Sequence, residues 1–195
     1  MPTYDPATAL LAVDVQNDFA DPSGSLYVRG GEEVVPIVNG EIARAESAGA
    51  LVIATQDWHP EHTPHFAPDG GIWPVHCVHD TWGAAFRDDL ELGQAAVIRK
   101  GEDGRDGYSG FSVRDPLSGA VDDTVLQATL AKAGIRRLVV CGLATDYCVV
   151  ETVLDARMRG YPVEVVSSAI RAVNLADGDG DRAVTRMRDA GAEFV

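Results

Sequence analysis

Every histidine in the chain, His59, His62, His65, His76 and His79, lies between residues 59 and 79. Asp57 stands just ahead of them, and Asp57-x-His59 puts two ligand-competent side chains on one side of an extended segment. His65 and His76 can fold back to complete a set of three imidazoles and one carboxylate. Such a set suits zinc, iron or manganese, zinc first among them, better than magnesium or calcium, which prefer oxygen. The bland reading is a loop of scattered surface histidines with Asp57 as a cap. So complete a clustering favours one divalent transition metal, with His62 and His79 left on the surface.

A second chemistry is written into Gly142-Leu-Ala-Thr-Asp-Tyr-Cys148. If Thr145 or Asp146 caps a helix there, Cys148 falls in its first turn, where the helix dipole and free N–H groups favour a thiolate. The plain alternative for a lone cysteine is a small buried hydrophobe, which fits Cys141 inside its apolar run. A nucleophilic thiol needs a proton acceptor, and no histidine lies outside the metal loop. Asp14, an acid inside the apolar run Leu10-Leu-Ala-Val-Asp-Val-Gln16, is placed where burial raises its pKa toward that of a useful base, unless it merely opens a turn. Lys100, one of only two lysines, could stabilise the thiolate or the carboxylate by charge, or could simply be a solvated strand end.

These groups need a frame to bring them together. Residues 9–15, 50–56, 95–99, 136–142, 162–168 and 192–195 are short, mostly unbroken apolar runs, the signature of strands covered on both faces. Helical patterns occupy about 31–48, 120–133, 146–159 and 179–190, followed by Gly49, Gly134, Gly160 and Gly191 at the stop positions. The alternation predicts a three-layer α/β/α domain spanning 1–195 on a mainly parallel six-stranded sheet. Long segments at 16–30, 57–94 and 101–118 follow strand C-terminal ends, the edge where such sheets bind ligands. Asp14, Asp57, Lys100 and Cys148 all emerge at that edge. Within these segments Trp82 and Phe86 are expected to pack the second half of the 57–94 loop on the core. Residues 102–107 lengthen the stretch before Tyr108. Asp177-Gly-Asp-Gly-Asp181 begins like a calcium loop but has Arg188 at the twelfth position, so it reads as a turn and helix cap.

Composition narrows the partners. The 195 residues are 46% hydrophobic and carry 30 acidic against 16 basic side chains, a formal charge of -14. That balance, without a basic cluster, argues against nucleic acid or an anionic membrane surface as partner. Three cysteines without framework spacing suggest reduced thiols in the cytoplasm, and the first apolar run is too short for a signal-peptide core. The sequence leaves the oligomeric state open, a homo-oligomer included.

Taken together, Asp14-Val-Gln-Asn-Asp-Phe19, Asp57-x-His59 with His65, Trp73-Pro-x-His76-Cys77, Lys100-Gly101, Tyr108-Ser-Gly-Phe111 and Gly142-x-Ala-Thr-Asp-x-Cys148-Val resemble the nicotinamidase branch of the isochorismatase-like cysteine hydrolases. The match runs from about residue 9 to 170 in one order. The resemblance implies sheet order 3-2-1-4-5-6 and a catalytic triad of Asp14, Lys100 and Cys148. It implies a metal held by Asp57, His59, His65 and His76, which meets the pyridine nitrogen of nicotinamide, and a pocket with Phe19, Trp73 and Tyr108 against the substrate. It further implies a cis Leu143-Ala144 peptide and an oxyanion hole from the N–H groups of Ala144 and Cys148. Two other readings compete. Other cysteine amidohydrolases of this fold, acting on carbamoyl or acyclic amides, generally lack the four-ligand set. A noncatalytic dinucleotide-binding module would need a G-x-G-x-x-G turn after a strand, which is absent.

Overall fold

The computed structural model describes residues 1–195, and its centre is strand β1 (Thr8–Val13), every residue of which is buried. Ala9, Leu11 and Val13 point into one hydrophobic cluster and Leu10 and Ala12 into another, so the apolar run is continuous because both faces of the sheet are covered. Each fully buried leucine of this strand contributes roughly 1.5–3 kcal/mol of transfer free energy. Beside β1 lie β2 (Leu51–Asp57) and β6 (Arg137–Leu143), with β3 (Ala96–Lys100) beyond β2, and β7 (Val163–Arg171) and β8 (Glu193–Phe194) beyond β6. All five neighbouring pairs are parallel. The order 3-2-1-6-7-8 is the predicted 3-2-1-4-5-6 once two short strands outside the sheet are counted.

Those two strands, β4 (Ser112–Arg114) and β5 (Val121–Asp123), pair antiparallel as a separate ribbon. They correct the helix predicted over 120–133, which is confined to α3 (Leu126–Lys132). The start is set by Thr124: its hydroxyl accepts the Leu126 N–H at 3.1 Å and donates to the Gly110 carbonyl at 2.6 Å. Of the other expected helices, those over 31–48 and 179–190 are found, and the one over 146–159 starts only at Val150; a further four-residue helix lies in the 16–30 segment, where the pattern predicts none. A short α1 (Asn17–Ala20) follows β1, and α2 (Val34–Ser47) packs on the Leu10 side of the sheet. On the opposite face α4 (Val150–Met158) and α5 (Asp179–Asp189) join α3.

The predicted stops hold in detail. In α2, α3, α4 and α5 the residue after the stop glycine donates to a carbonyl five residues back: Ala50 to Ala45, Ile135 to Leu130, Tyr161 to Ala156 and Ala192 to Met187. This is the bond of a left-handed C-terminal cap, and it turns each chain sharply back toward the sheet. Residues 177–178 form a turn and 179–181 begin α5, whose cap position is Gly178 rather than an aspartate. Asp179 accepts the Ala176 N–H at 2.7 Å and also pairs with Arg182, so its carboxylate is engaged locally. Trp82 departs from expectation. Its ring is exposed and only its carbonyl is used, accepting from Asn17 Nδ2, whereas Phe86 does pack on the core. No helix is long and apolar enough to cross a membrane.

Candidate active site

Asp14 is the first residue past β1, Asp57 and Lys100 end β2 and β3, and Cys148 lies in a turn that follows β6. Parallel strands end on one edge, so four segments distant in sequence deliver these side chains to one place. Asp14 is fully buried, with φ at +49°. Thr55, in the adjacent strand, donates its hydroxyl to Asp14 Oδ1 at 2.6 Å. Lys100 is 1% exposed, which overturns the solvated strand end as a reading. Its Nζ sits 2.8 Å from Asp14 Oδ2 and 3.5 Å from Cys148 Sγ, and also donates to Asp57 Oδ1. The Lys100 ammonium thus faces Asp14 Oδ2 as an ion pair while Thr55 holds the other carboxylate oxygen.

The electrostatics follow from burial. Desolvation raises the Asp14 pKa above the ordinary carboxylate range, against the pull of Lys100. Burial disfavours charge on Lys100, but Asp14 and Asp57 outweigh it and hold the ammonium charged. Burial likewise pushes the Cys148 thiol up, although Lys100 pulls it down. This corrects the expectation of a dipole-stabilised thiolate. Residues 145–149 form a single wide π-type turn with Ala144 at its cap position, rather than the first turn of an α-helix. Neither Thr145 nor Asp146 caps it, for the Asp146 carboxylate accepts the N–H groups of Val173 and Asn174 instead. The arrangement is a protonated thiol beside a buried base and a fixed positive charge.

A cluster of imidazoles stands alongside. His59, His65 and His76 present ring nitrogens that all lie within 4.8 Å of one another. His76 Nδ1 is 2.7 Å from the Pro74 carbonyl and His65 Nδ1 is 3.1 Å from Asp106 Oδ1, which leaves Nε2 of each ring free as a donor atom. Buried His59 has no partner at either nitrogen. Burial first, then its neighbours His76 and His65, lower its pKa to about 3, so the ring is neutral. Asp57 bridges the two groups: Oδ1 meets Lys100, and Oδ2 lies 4.0 Å from His59 Nε2. Converging imidazole nitrogens beside a carboxylate, those of His59 orphaned, fit a divalent transition ion. Gly101 leaves room for this cluster, because a Cβ there would lie 2.5 Å from His59 Nδ1. His62 and His79 pair with Asp69 and Asp80 at the surface, apart from the cluster.

Between thiol and imidazoles lies a partly open, mostly apolar pocket. The expected Phe19, Trp73 and Tyr108 all line it, with Ala144 next to Cys148. The Leu143–Ala144 peptide is cis. Trp73 donates its indole N–H to the Tyr108 hydroxyl at 3.0 Å, and Tyr147 meets Trp73 edge-on with centroids 4.8 Å apart. Asp57, Tyr147, Leu26, Val28 and Val173 complete the lining; of these, the last four were not singled out by sequence, and Tyr147 stands at an unspecified position of the Cys148 motif. A wider groove along the outer edge of β3 has a largely charged lining, with neither Cys148 nor any histidine.

Supporting contacts come from the segment after Asp14. Gln16 accepts the Asp57 N–H at 2.8 Å and donates to the Asp57 carbonyl at 2.7 Å. Asp18 accepts the N–H of Cys77, the neighbour of His76, at 2.7 Å. Both residues lie in a motif visible in the sequence, but only the fold reveals what they hold.

The isochorismatase domain model matches residues 8–195. The chain is 40% identical to the nicotinamidase of Escherichia coli, over 96% of this chain and 93% of that protein. Among solved structures, the pyrazinamidase of Pyrococcus horikoshii in complex with zinc superposes with a TM-score of 0.87 at 38% identity, covering 97% of this chain and 99% of that one. An L. infantum protein in complex with nicotinate gives a TM-score of 0.89 at 35% identity, covering 100% and 95%.

Proposed function

The chain belongs to the isochorismatase-domain family, and on that footing we propose that it is a metal-dependent cysteine amidohydrolase converting nicotinamide to nicotinate and ammonia. The observation that carries this reading is one pocket lined by Cys148 on one side, with Asp14 and Lys100 grouped behind it, and by His65 and His76 on the other, with His59 clustered behind them. A cysteine hydrolase requires only the first set. The second gives a place to hold a nitrogen heterocycle, which matches the nicotinamide and nicotinate chemistry named for its relatives. The pocket lining is mostly apolar and aromatic with a few polar groups, as suits a flat heterocycle.

In this mechanism Asp14 takes the proton from Cys148, and Sγ attacks the carboxamide carbon. The resulting oxyanion is received by the N–H groups of Ala144 and Cys148. Asp14 then gives its proton to the departing amine as the carbon–nitrogen bond breaks, leaving a thioester. A water molecule deprotonated by Asp14 attacks the thioester, the carbon–sulfur bond breaks, and Cys148 regains its proton. Lys100 keeps its charge throughout, offsetting the negative charge of Asp14 and of the sulfur as it develops. Phe19, Trp73 and Tyr108 hold the ring. Asp57, His59, His65 and His76 would hold the metal, zinc being our assignment, which supplies a Lewis-acid contact for the ring nitrogen and so fixes the ring's orientation.

Cys148 must remain a free thiol, which supports placing the reaction in the reducing cytoplasm, and returning nicotinamide as nicotinate supports a role in NAD salvage. The test is ammonia release from nicotinamide by the purified protein, with and without a chelator, alongside metal analysis. Release that stops on chelation and returns with zinc is expected. No ammonia from metal-replete protein would move the assignment to a different small amide.

A further inference from the structure

His65 differs from the other two clustered histidines in how its ring is held. His59 is fixed by its backbone, donating to the Cys77 carbonyl and accepting from the His79 N–H. His76 is tied through Nδ1 to the Pro74 carbonyl, and the next residue is anchored by Asp18. His65 lies in a turn, its backbone held by two longer bonds of 3.4 Å, to the Thr63 hydroxyl and from the Trp73 N–H, and the side-chain contact within hydrogen-bond reach of its ring is Asp106 Oδ1, at 3.1 Å from Nδ1. The pair is no surface accident, since the His65 side chain is only 6% exposed, against 80% and 47% for His62 and His79 in their own carboxylate pairs.

Asp106 is itself held from the far side. Its N–H donates to the Arg114 carbonyl at 2.7 Å, and its carbonyl accepts from the Arg114 N–H, so the 102–107 segment is laced to the β4–β5 ribbon. Arg105 adds a 3.0 Å ion pair to Asp122 on β5. The carboxylate thus reaches His65 from a fixed base. From this geometry we infer that Asp106 is a positioning residue for the metal centre: it fixes the Nδ1–H tautomer of His65 and aims Nε2 at the ion. The inference rests on the metal reading given above. It gives the 102–107 insertion and its ribbon a purpose that the pocket lining alone does not.

The test is zinc titration of the chelator-stripped protein against a chromogenic competitor, for wild type, His65→Ala, Asp106→Ala and Asp106→Asn, with melting temperatures of the stripped forms. Asp106→Ala should lose about 10–100-fold in zinc affinity, as removal of such supporting partners does. Asp106→Asn, whose amide oxygen accepts the same N–H, should recover most of it, and the stripped melting temperatures should coincide. Zinc affinity of Asp106→Ala equal to wild type overturns the inference while leaving the metal site standing. So does an Asp106→Asn affinity no better than that of Asp106→Ala together with a lowered stripped melting temperature, which would make Asp106 a structural tie. A wild-type protein that takes up no zinc overturns the metal reading and the inference with it.

Discussion

Thr55 donates its hydroxyl to Asp14 Oδ1 at 2.6 Å, occupying one carboxylate oxygen while the other faces Lys100. This bond lowers the Asp14 pKa against the larger upward push of burial. A base works as its carboxylate, so activity is present above its pKa and fades as pH falls through it. Thr55→Val removes a donor that favours the charged form. The acid limb of the kcat/KM profile should therefore move to higher pH, with the alkaline limb unmoved; an unmoved acid limb would remove Asp14 from the role of base.

Cys148→Ala takes away the attacking atom and nothing that lines the ring's side of the pocket. Turnover of nicotinamide should fall by roughly four to six orders of magnitude, as for nucleophile deletions elsewhere. Calorimetry should still detect nicotinamide binding close to the wild-type affinity. Substantial residual ammonia release would exclude Cys148 as nucleophile.

Gly101 has φ at +86°, and a Cβ there would strike the ring of buried His59. Gly101→Ala should cost about 1–2 kcal/mol for the left-handed backbone. It should also lower metal content after gel filtration, because His59 must give way. A fully metallated variant that melts like wild type would show that the ring has room to move.

Gln16→Ala withdraws three hydrogen bonds from a fully buried site, two with the backbone of Asp57 and one with the Ala84 carbonyl. Leaving such groups unsatisfied should destabilise the fold by on the order of 2 kcal/mol or more in urea denaturation. Because Asp57 loses its clamp, metal affinity should fall as well. A change smaller than about 0.5 kcal/mol would mean that water replaces the amide.

What could be read from the sequence was whatever is periodic or compositional. The unbroken run of β1, the glycines after four helices, and the confinement of all histidines to one loop each leave a mark in the order of residues. The ribbon of β4 and β5 does not, since three-residue strands are too short to show alternation and Val121-Asp-Asp reads equally well as the start of a helix. Asp106 escaped notice because its meaning lies in a partner far away along the chain. The protonated state of Cys148 was hidden for another reason: burial beside two carboxylates belongs to the assembled site and to no local motif.

Asp14, Asp57, Lys100 and Cys148 are carried by four different strands or strand ends, joined only by parallel pairings that span long stretches of chain. Such pairings are the slow, non-local part of folding. Before they form, the cysteine has no base within reach and no ammonium beside it. The nascent chain is therefore chemically quiet, with an ordinary thiol, until the central sheet has closed. Recovery of amide hydrolysis during refolding should then report the pairing of β1 with both its neighbours, and no fragment lacking any one of these strands should hydrolyse at all.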